Sequence, residues 1–377
     1  MKDKKEKLLT ISIKKPWLLQ DKETTISYNF FKKITEFCCD YIPKPIKKIV
    51  LSFLYSISKI LSRLLIISNG LSLKIYQVTG REKNCKEPLT ILYLSNEKIY
   101  SYLENILFYE KPKIRRIGKI YLWNIKKKIK NISSNIDAVF IENEMFYADY
   151  FERQGFTVIP EFISMILDTS KSFVEIYKNF SKSAKEDTRK VKKNCFNYEI
   201  SHNFEMLKLF YYKMYLPYIY NRHGKTAVCT NFHTMRLIFE RDGKLLLIKL
   251  KNEYVFGGLL SVRNDKATAL YSGISDKKNS LLKKGITAAS YYFFIQWAKK
   301  NKIKTLDFGT SKPFFNDGLF KYKKKWGTTI SKNELYHYSI FPFKICKNSK
   351  AIMSYLKHNP FIYLEKNKLK IKIQEKE

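Results

Sequence analysis

Apolar positions along the chain repeat with two periods, and the switches between them mark its elements. Residues 89–94 (LTILYL), just after Pro88, form an unbroken apolar run of strand length and predict a buried strand. A helix is expected over 97–108, a strand over 137–141, a helix over 145–154 stopped by Gly155, and one long strand over 156–167. Phe173, Ile176, Tyr177 and Phe180 then recur at helical spacing. With Asp168, Thr169 and Ser170 as capping groups and Glu175 in the early turns, 170–193 is expected as one helix. A strand over 196–201 leads to an aromatic helix over 203–222, which Pro217 should kink, and to a helix over 231–240 ended by Asp242-Gly243. Three strands follow, 244–251, 254–263 and 266–275, with connections short enough to call for antiparallel pairing. Residues 281–301 read as a long helix, with Ile286, Ala289, Tyr292, Phe293 and Trp297 on its apolar face, delivering the chain to a strand at Ile303. Strands alternating with helices predict an α/β fold with a mixed sheet.

The most hydrophobic stretch is 47–67, KKIVLSFLYSISKILSRLLII. It approaches the length of a membrane span, but Lys59 and Arg63 interrupt it. On a helix Ser52, Ser56, Lys59 and Arg63 line one narrow polar stripe. Three readings stay open: a helix docked on the core, an amphipathic helix in a membrane interface, and a spanning helix that buries two cations. Asn69-Gly70 should end it.

Composition adds a bias of charge. The 377 residues suffice for two domains, and 45% hydrophobic with 15% aromatic residues excludes a disordered chain. Lys and Arg number 71 against 34 Asp and Glu, a formal net charge of +37. Such a field favours phosphates, nucleic acid and anionic headgroups as partners, although lysines spread along the whole chain also fit a general compositional bias. Six cysteines without a CxxC pair, and five histidines without HExxH, support neither a disulfide framework nor a metal site. Reduced cytosolic thiols are the expectation. The N-terminal MKDKKEKLLTISIKK lacks the apolar core of a secretory signal.

The chemistry concentrates in 302–328, KIKTLDFGTSKPFFNDGLFKYKKKWGT. A short strand through Leu306 and Phe308 ends at Gly309, and a loop of turn formers, Pro313, Asn316, Asp317 and Gly318, leads into a basic-aromatic segment up to Trp326. Asp307, Asp317, Lys321, Lys323 and Trp326 lie closer together than a solvated loop requires. The alternative is that Asp307 caps a turn and Trp326 belongs to the core.

This order, LDFG, then a loop with DG, then FKYKKKWG, after an antiparallel meander and a long helix, resembles the FemABX-like branch of the GNAT acyltransferase superfamily. The likeness spans 165–340, with a fainter first unit over 88–165. It implies tandem GNAT-like units, the second better formed, and transfer of an acyl or aminoacyl group onto an amine. The domains expected are an arm over 1–87, a degenerate unit over 88–165, a catalytic unit over 166–342 and a basic tail over 343–377. The resemblance also implies that the strands flanking the long helix splay apart around the cofactor.

Asp307 and Asp317 are the candidates to position or deprotonate the amine, and Lys321 and Lys323 to meet developing negative charge or an acceptor phosphate. Lys321 and Lys323 would share a face on a strand and diverge by about 200° on a helix. Substrate contacts are expected from Phe308, Gly309, Gly318 and Trp326, from Tyr271 near the end of the third meander strand, and from Gly285 at the start of the long helix. Lys185, Arg189 and Lys192 are either a solvated helical face or contacts to substrate phosphates. Acetyl-CoA-dependent GNAT enzymes grip a pyrophosphate at that helix with Gln/Arg-x-x-Gly-x-Gly/Ala. Here DKKNSLLKKGITAAS offers only Gly285, so weak CoA binding is expected.

The donor is therefore either aminoacyl-tRNA or acyl-CoA, with no resident cofactor. The acceptor implied is an anionic nucleotide- or lipid-linked cell-envelope precursor, met in the cytoplasm or at the inner membrane face. The alternatives are an acetyl-CoA-dependent N-acetyltransferase, a non-catalytic RNA-binding protein using 185–193, and a membrane-surface adaptor held by 47–67.

Overall fold

The computed structural model describes residues 70–372, apart from 97–99, 133–134, 224–228, 276–277 and 334–338, together with isolated positions between 43 and 68. The chain forms two mixed α/β units. One consists of 63–164, 310–322 and 330–377, and the other of 1–62, 165–309 and 323–329.

Strands β1 (Ser72–Arg81), β2 (Pro88–Ser95), β3 (Lys113–Tyr121), β4 (Ala138–Ile141), β5 (Asn143–Glu144) and β6 (Thr157–Pro160) enter a nine-stranded sheet. β1 pairs antiparallel with β2 and β3, and β2 runs parallel to β4. The unbroken apolar run of β2 serves two cores at once. Ile91 and Tyr93 face one cluster with Ala138 and Phe140, while Leu92 and Leu94 face another with Val139 and Ile141. A strand buried on both faces cannot alternate with polar residues. Helices α1 (Ser101–Leu107), α2 (Ile125–Ile132) and α3 (Ala148–Arg153) belong to the same unit.

β7 (Ile163–Asp168) opens the second sheet, so the single strand expected over 156–167 is two strands in different sheets. Pro160 ends the first of them, since it has no N–H to continue a ladder. The helix expected over 170–193 is likewise two, α4 (Phe173–Lys178) and α5 (Lys182–Lys193). Ser172 caps α4 in a reciprocal box with Glu175, and Ser181 caps α5.

β8 (Asn197–Ser201) leads to α6 (Phe204–Phe210), a π-helical turn over Tyr211–Tyr215, α7 (Leu216–His223) and α8 (Phe232–Asp242). Pro217 therefore produces no simple kink: the missing N–H is accommodated where the preceding turn widens. Phe210, Tyr211, Met214 and Tyr215 pack there with Leu245, Leu247 and Leu259. The meander is present as expected, with β9 (Gly243–Leu250), β10 (Glu253–Arg263) and β11 (Lys266–Ile274) all antiparallel. Next come α9 (Lys278–Lys284), α10 (Ile286–Lys300) and β12 (Thr305–Ser311), which runs parallel to β11. Then follow α11 (Gly318–Lys324) and β13 (Thr329–Lys332), and the second sheet is ordered β13-β7-β12-β11-β10-β9-β8.

The last strands return to the first sheet. β14 (Ser339–Ile345) pairs with β4, β5 and β6, and beyond α12 (Lys350–His358) β15 (Phe361–Glu365) pairs with β6 and β16 (Lys368–Lys372). The basic tail expected over 343–377 is thus folded structure through residue 372. Phe343, Ile352, Tyr355 and Phe361 are core, and the exposed Lys357, Lys366, Lys368 and Lys370 masked them in the composition. The arm expected over 1–87 likewise gives way before Pro88, because β1 is an interior strand of this sheet. Most of 47–67, including Lys59 and Arg63, lies outside the described residues; Ile49, Val50, Ser52, Phe53, Leu54, Ser56 and Ile57 are in helical turns.

Candidate functional site

The site begins where two parallel strands part. β11 and β12 pair only at Lys266–Thr305, Ala267–Leu306 and Thr268–Asp307, although both strands run on. At this level β11 carries a bulge against β10, which opposes Leu259 to Tyr271 and Leu260 to Ala269. On β12, Gly309 adopts φ +77°, and a Cβ there would stand 2.7 Å from the Ala269 carbonyl oxygen. Only glycine fits that approach.

Three candidates gather around this point. Asp307 is buried, and its Oδ1 accepts the Gly309 N–H at 2.9 Å. The Lys323 ammonium lies 3.9 Å from the Cβ position of the same glycine, and Lys323 is only 4% exposed. Two opposite charges thus converge on the end of β12, inside protein, where each loses hydration and each requires compensation.

Aromatic rings form the rest of the wall. Tyr291 of α10 packs against Phe308 at 4.7 Å between centroids and stacks on Trp326 at 5.7 Å and 13°. Phe180 meets Trp326 edge-on at 5.2 Å. Burial pushes the Tyr291 hydroxyl above its usual range. Trp326 is fully buried, yet its Nε1–H has no acceptor among the described residues. Lys325 forms a 2.6 Å ion pair with Asp187, and its carbonyl accepts the Ser181 N–H, which docks the start of α5 onto this segment.

α11 decides between the two lysines. The segment is helical, so Lys321 is exposed while Lys323 is buried. Asp317 starts this helix: its Oδ1 accepts from the Phe320 N–H at 2.9 Å and its Oδ2 from the Tyr102 hydroxyl at 3.3 Å. The expectation that Asp317 handles the amine meets a structural employment for both its oxygens. Gly318 has open space where a side chain would be, so no close approach requires glycine there.

The remaining candidates separate. Tyr271 is half-buried, its ring 5.7 Å from Tyr215 in the aromatic cluster. Gly285, at φ +88°, begins α10 in left-handed conformation, and the stem of Lys190 lies 3.5 Å from its Cβ position. Lys190 is therefore the α5 cation at that helix terminus. Of the three expected there, Lys185 donates to the Lys178 carbonyl and lies over the Tyr177 ring, while Arg189 and Lys192 are exposed. Sequence reasoning missed Tyr291, Phe180, Asp187 and Lys190. A usable signal existed for Lys190, since it lies almost opposite Lys192 on a helix. Among the described residues no group of His, Cys, Asp and Glu is arranged to hold a metal ion.

No family model matches the sequence, and no curated protein matches it either. Solved structures do. FemX shares 18% identity over 69% of this chain and 82% of its own, at a TM-score of 0.39. L-PGS from Bacillus licheniformis shares 10% over 78% of this chain and 89% of its own, at 0.35. A tandem GNAT protein from the clavulanic acid biosynthesis pathway shares 10% over 65% of this chain and 78% of its own, at 0.29.

Proposed function

We infer that the chain is an acyl- or aminoacyltransferase that acts on an amine. The observation that carries this reading is the pairing of a buried cation, Lys323, with a buried carboxylate, Asp307, at the point where β11 and β12 part beside α10. In the proposed reaction the acceptor nitrogen attacks the carbonyl carbon of an ester or thioester. The new C–N bond forms, the C–O or C–S bond breaks, and the amine proton leaves to a base. Negative charge grows on the carbonyl oxygen, and a fixed cation in a water-poor site stabilises it more than water would. Lys323 takes that role, and Asp307 orients the amine and receives or relays its proton.

Asp317 acts by fixing the start of the helix that carries Lys323, and Lys321 is free for an outer contact with an anionic acceptor. Phe308, Gly309, Trp326 and Tyr271 belong to the substrate wall in this reading. Gly285 and Lys190 supply an anion-binding corner, with Arg189 and Lys192 on the adjoining helix.

The acceptor we propose is a nucleotide- or lipid-linked precursor of the cell envelope, and the donor is either charged tRNA or acyl-CoA. The test is incubation with acetyl-CoA or with aminoacyl-tRNA and a panel of such precursors, reading the acceptor mass shift. Transfer lost in Lys323→Ala, with an unchanged melting temperature, supports the reading. Absence of any mass shift with either donor overturns it. Free CoA is expected to bind weakly, since the α10 terminus offers a single glycine. A sub-micromolar dissociation constant by calorimetry would instead point to an ordinary N-acetyltransferase.

A further inference from the structure

A second surface, remote in sequence from 302–328, is built from the edge strand β3 and from α2. Between residues 111 and 130 the chain carries nine Lys or Arg and no Asp or Glu. β3 lies at the end of its sheet and is exposed over nearly its whole length. Register on β1 places Ile114, Arg116, Lys119 and Tyr121 on one face, opposite Val78, Tyr76, Lys74 and Ser72, and a bulge at Ile117 turns that side chain outward as well. On α2, Ile125 and Ile129 enter the core, which leaves Lys126, Lys127 and Lys128 exposed.

Large apolar side chains are exposed among these cations. Ile114, Ile117, Tyr121 and Trp123 are 42%, 40%, 47% and 63% exposed. Tyr121 and Trp123 stack on each other at 5.0 Å and 9°. Leu71 joins them at 42% exposure, its carbonyl accepting the Leu122 N–H at 3.0 Å. In sequence this residue follows closely on the apolar stretch 47–67.

We propose that the β3–α2 surface seats the protein on an anionic lipid bilayer. Cations without counter-charges seek a polyanionic surface. Aliphatic side chains add nothing to neutralising a nucleic-acid backbone or stacking a base, but they do partition into the headgroup boundary. Tyr and Trp are the rings that settle at that boundary. An interface of this kind needs no spanning helix, and none of the described helices is long and apolar enough to cross a membrane.

The test is flotation of the full chain with vesicles of phosphatidylcholine alone and of phosphatidylcholine with phosphatidylglycerol. Binding is expected only to the anionic vesicles, and it should weaken with added salt. Combined Lys126→Glu, Lys127→Glu and Lys128→Glu should weaken it on the order of 10²-fold, at about fivefold per cation. The same number of reversals at Lys350, Lys357 and Lys368 should change it little. Paired Ile114→Ser and Ile117→Ser keep every charge and should still release the protein, and Trp123→Phe should abolish the vesicle-induced blue shift of tryptophan emission. Thermal melts report whether each variant folds. Equal binding to both vesicles, equal loss from the two lysine sets, or retained binding in the isoleucine variant would overturn the proposal. So would competition by polyuridylate that the isoleucine changes leave intact. None of these readouts uses transfer activity, so they stand or fall apart from the reaction proposed above.

Discussion

A lysine that is 4% exposed is costly unless the fold or the chemistry uses it. Lys323→Ala is expected to lower transfer by on the order of 10²–10³, whereas Lys321→Ala, on the outer face of α11, should stay within a few-fold. The control belongs at the exposed Lys300. Lys299 is unsuitable because its ammonium bonds the carbonyls of Thr169 and Lys171 at 3.0 and 2.5 Å. Equal rates for all three variants would remove the support for this site. Asp317→Ala should cost about 1 kcal/mol of stability as a lost helix cap, with a much smaller effect on rate than Lys323→Ala. Glu82 offers a different measurement, since it is buried and accepts from the Asn84 and Cys85 N–H groups at 2.8 and 2.7 Å and from the Ser354 hydroxyl at 3.0 Å. Burial opposes its ionisation, but those donors outweigh burial and hold its pKa below the usual 4.5. A lowered folded-state pKa means stability that is present above the unfolded value and is lost as pH falls through the folded one. Glu82→Gln should therefore lower the melting temperature at pH 7, and the gap to wild type should close below about pH 4. A gap that widens in acid would contradict this assignment.

At the scale of elements, two glycines fix how β11 and β12 lie. A Cβ on Gly273 would stand 2.5 Å from the backbone of Met214 and Tyr215, so the π-helical turn and β11 touch through it. Gly273→Ala should destabilise by about 1–3 kcal/mol through overpacking, read by denaturant unfolding, and a neutral result would mean that the turn relaxes freely. The meander, the long helix and the parallel strand after it were legible because their patterns are local: apolar alternation, short turns, and a helical stripe running through Trp297. The breaks at Asn179 and Pro160 were not, because which sheet a strand joins depends on distant partners. The same holds for the last 30 residues or so, where a few deeply buried side chains such as Phe343, Tyr355 and Phe361 decide the fold against a lysine-rich composition. In the site, spacing identified Asp307, Gly309, Lys323 and Trp326, and the helical outcome at α11 selected between the two lysines as geometry required. Tyr291 escaped notice because a tyrosine on a helix looks like any core aromatic until its ring is seen between Phe308 and Trp326.

The whole molecule carries a formal charge of +37, while the proposed reacting groups, Asp307 and Lys323, are buried. These two facts act over different ranges. The exposed lysines attract a polyanionic donor or acceptor through solvent, where salt screens interactions beyond about 10 Å at 0.1 M. The buried pair acts at contact distance in a medium that salt does not enter, so its effect on the barrier should be nearly insensitive to ionic strength. Raising salt from about 50 to about 200 mM should therefore raise the KM for a phosphate-bearing substrate by roughly ten-fold or more, since each released counterion adds to the slope. The kcat should stay within about twofold over the same range, because the charge that forms in the transition state is met inside the site. A variant with exposed lysines reversed far from 302–328 should flatten the KM dependence and leave kcat alone. If kcat instead fell in parallel with rising KM, the catalytic cation would have to lie in solvent, and Lys321 rather than Lys323 would become the residue to test.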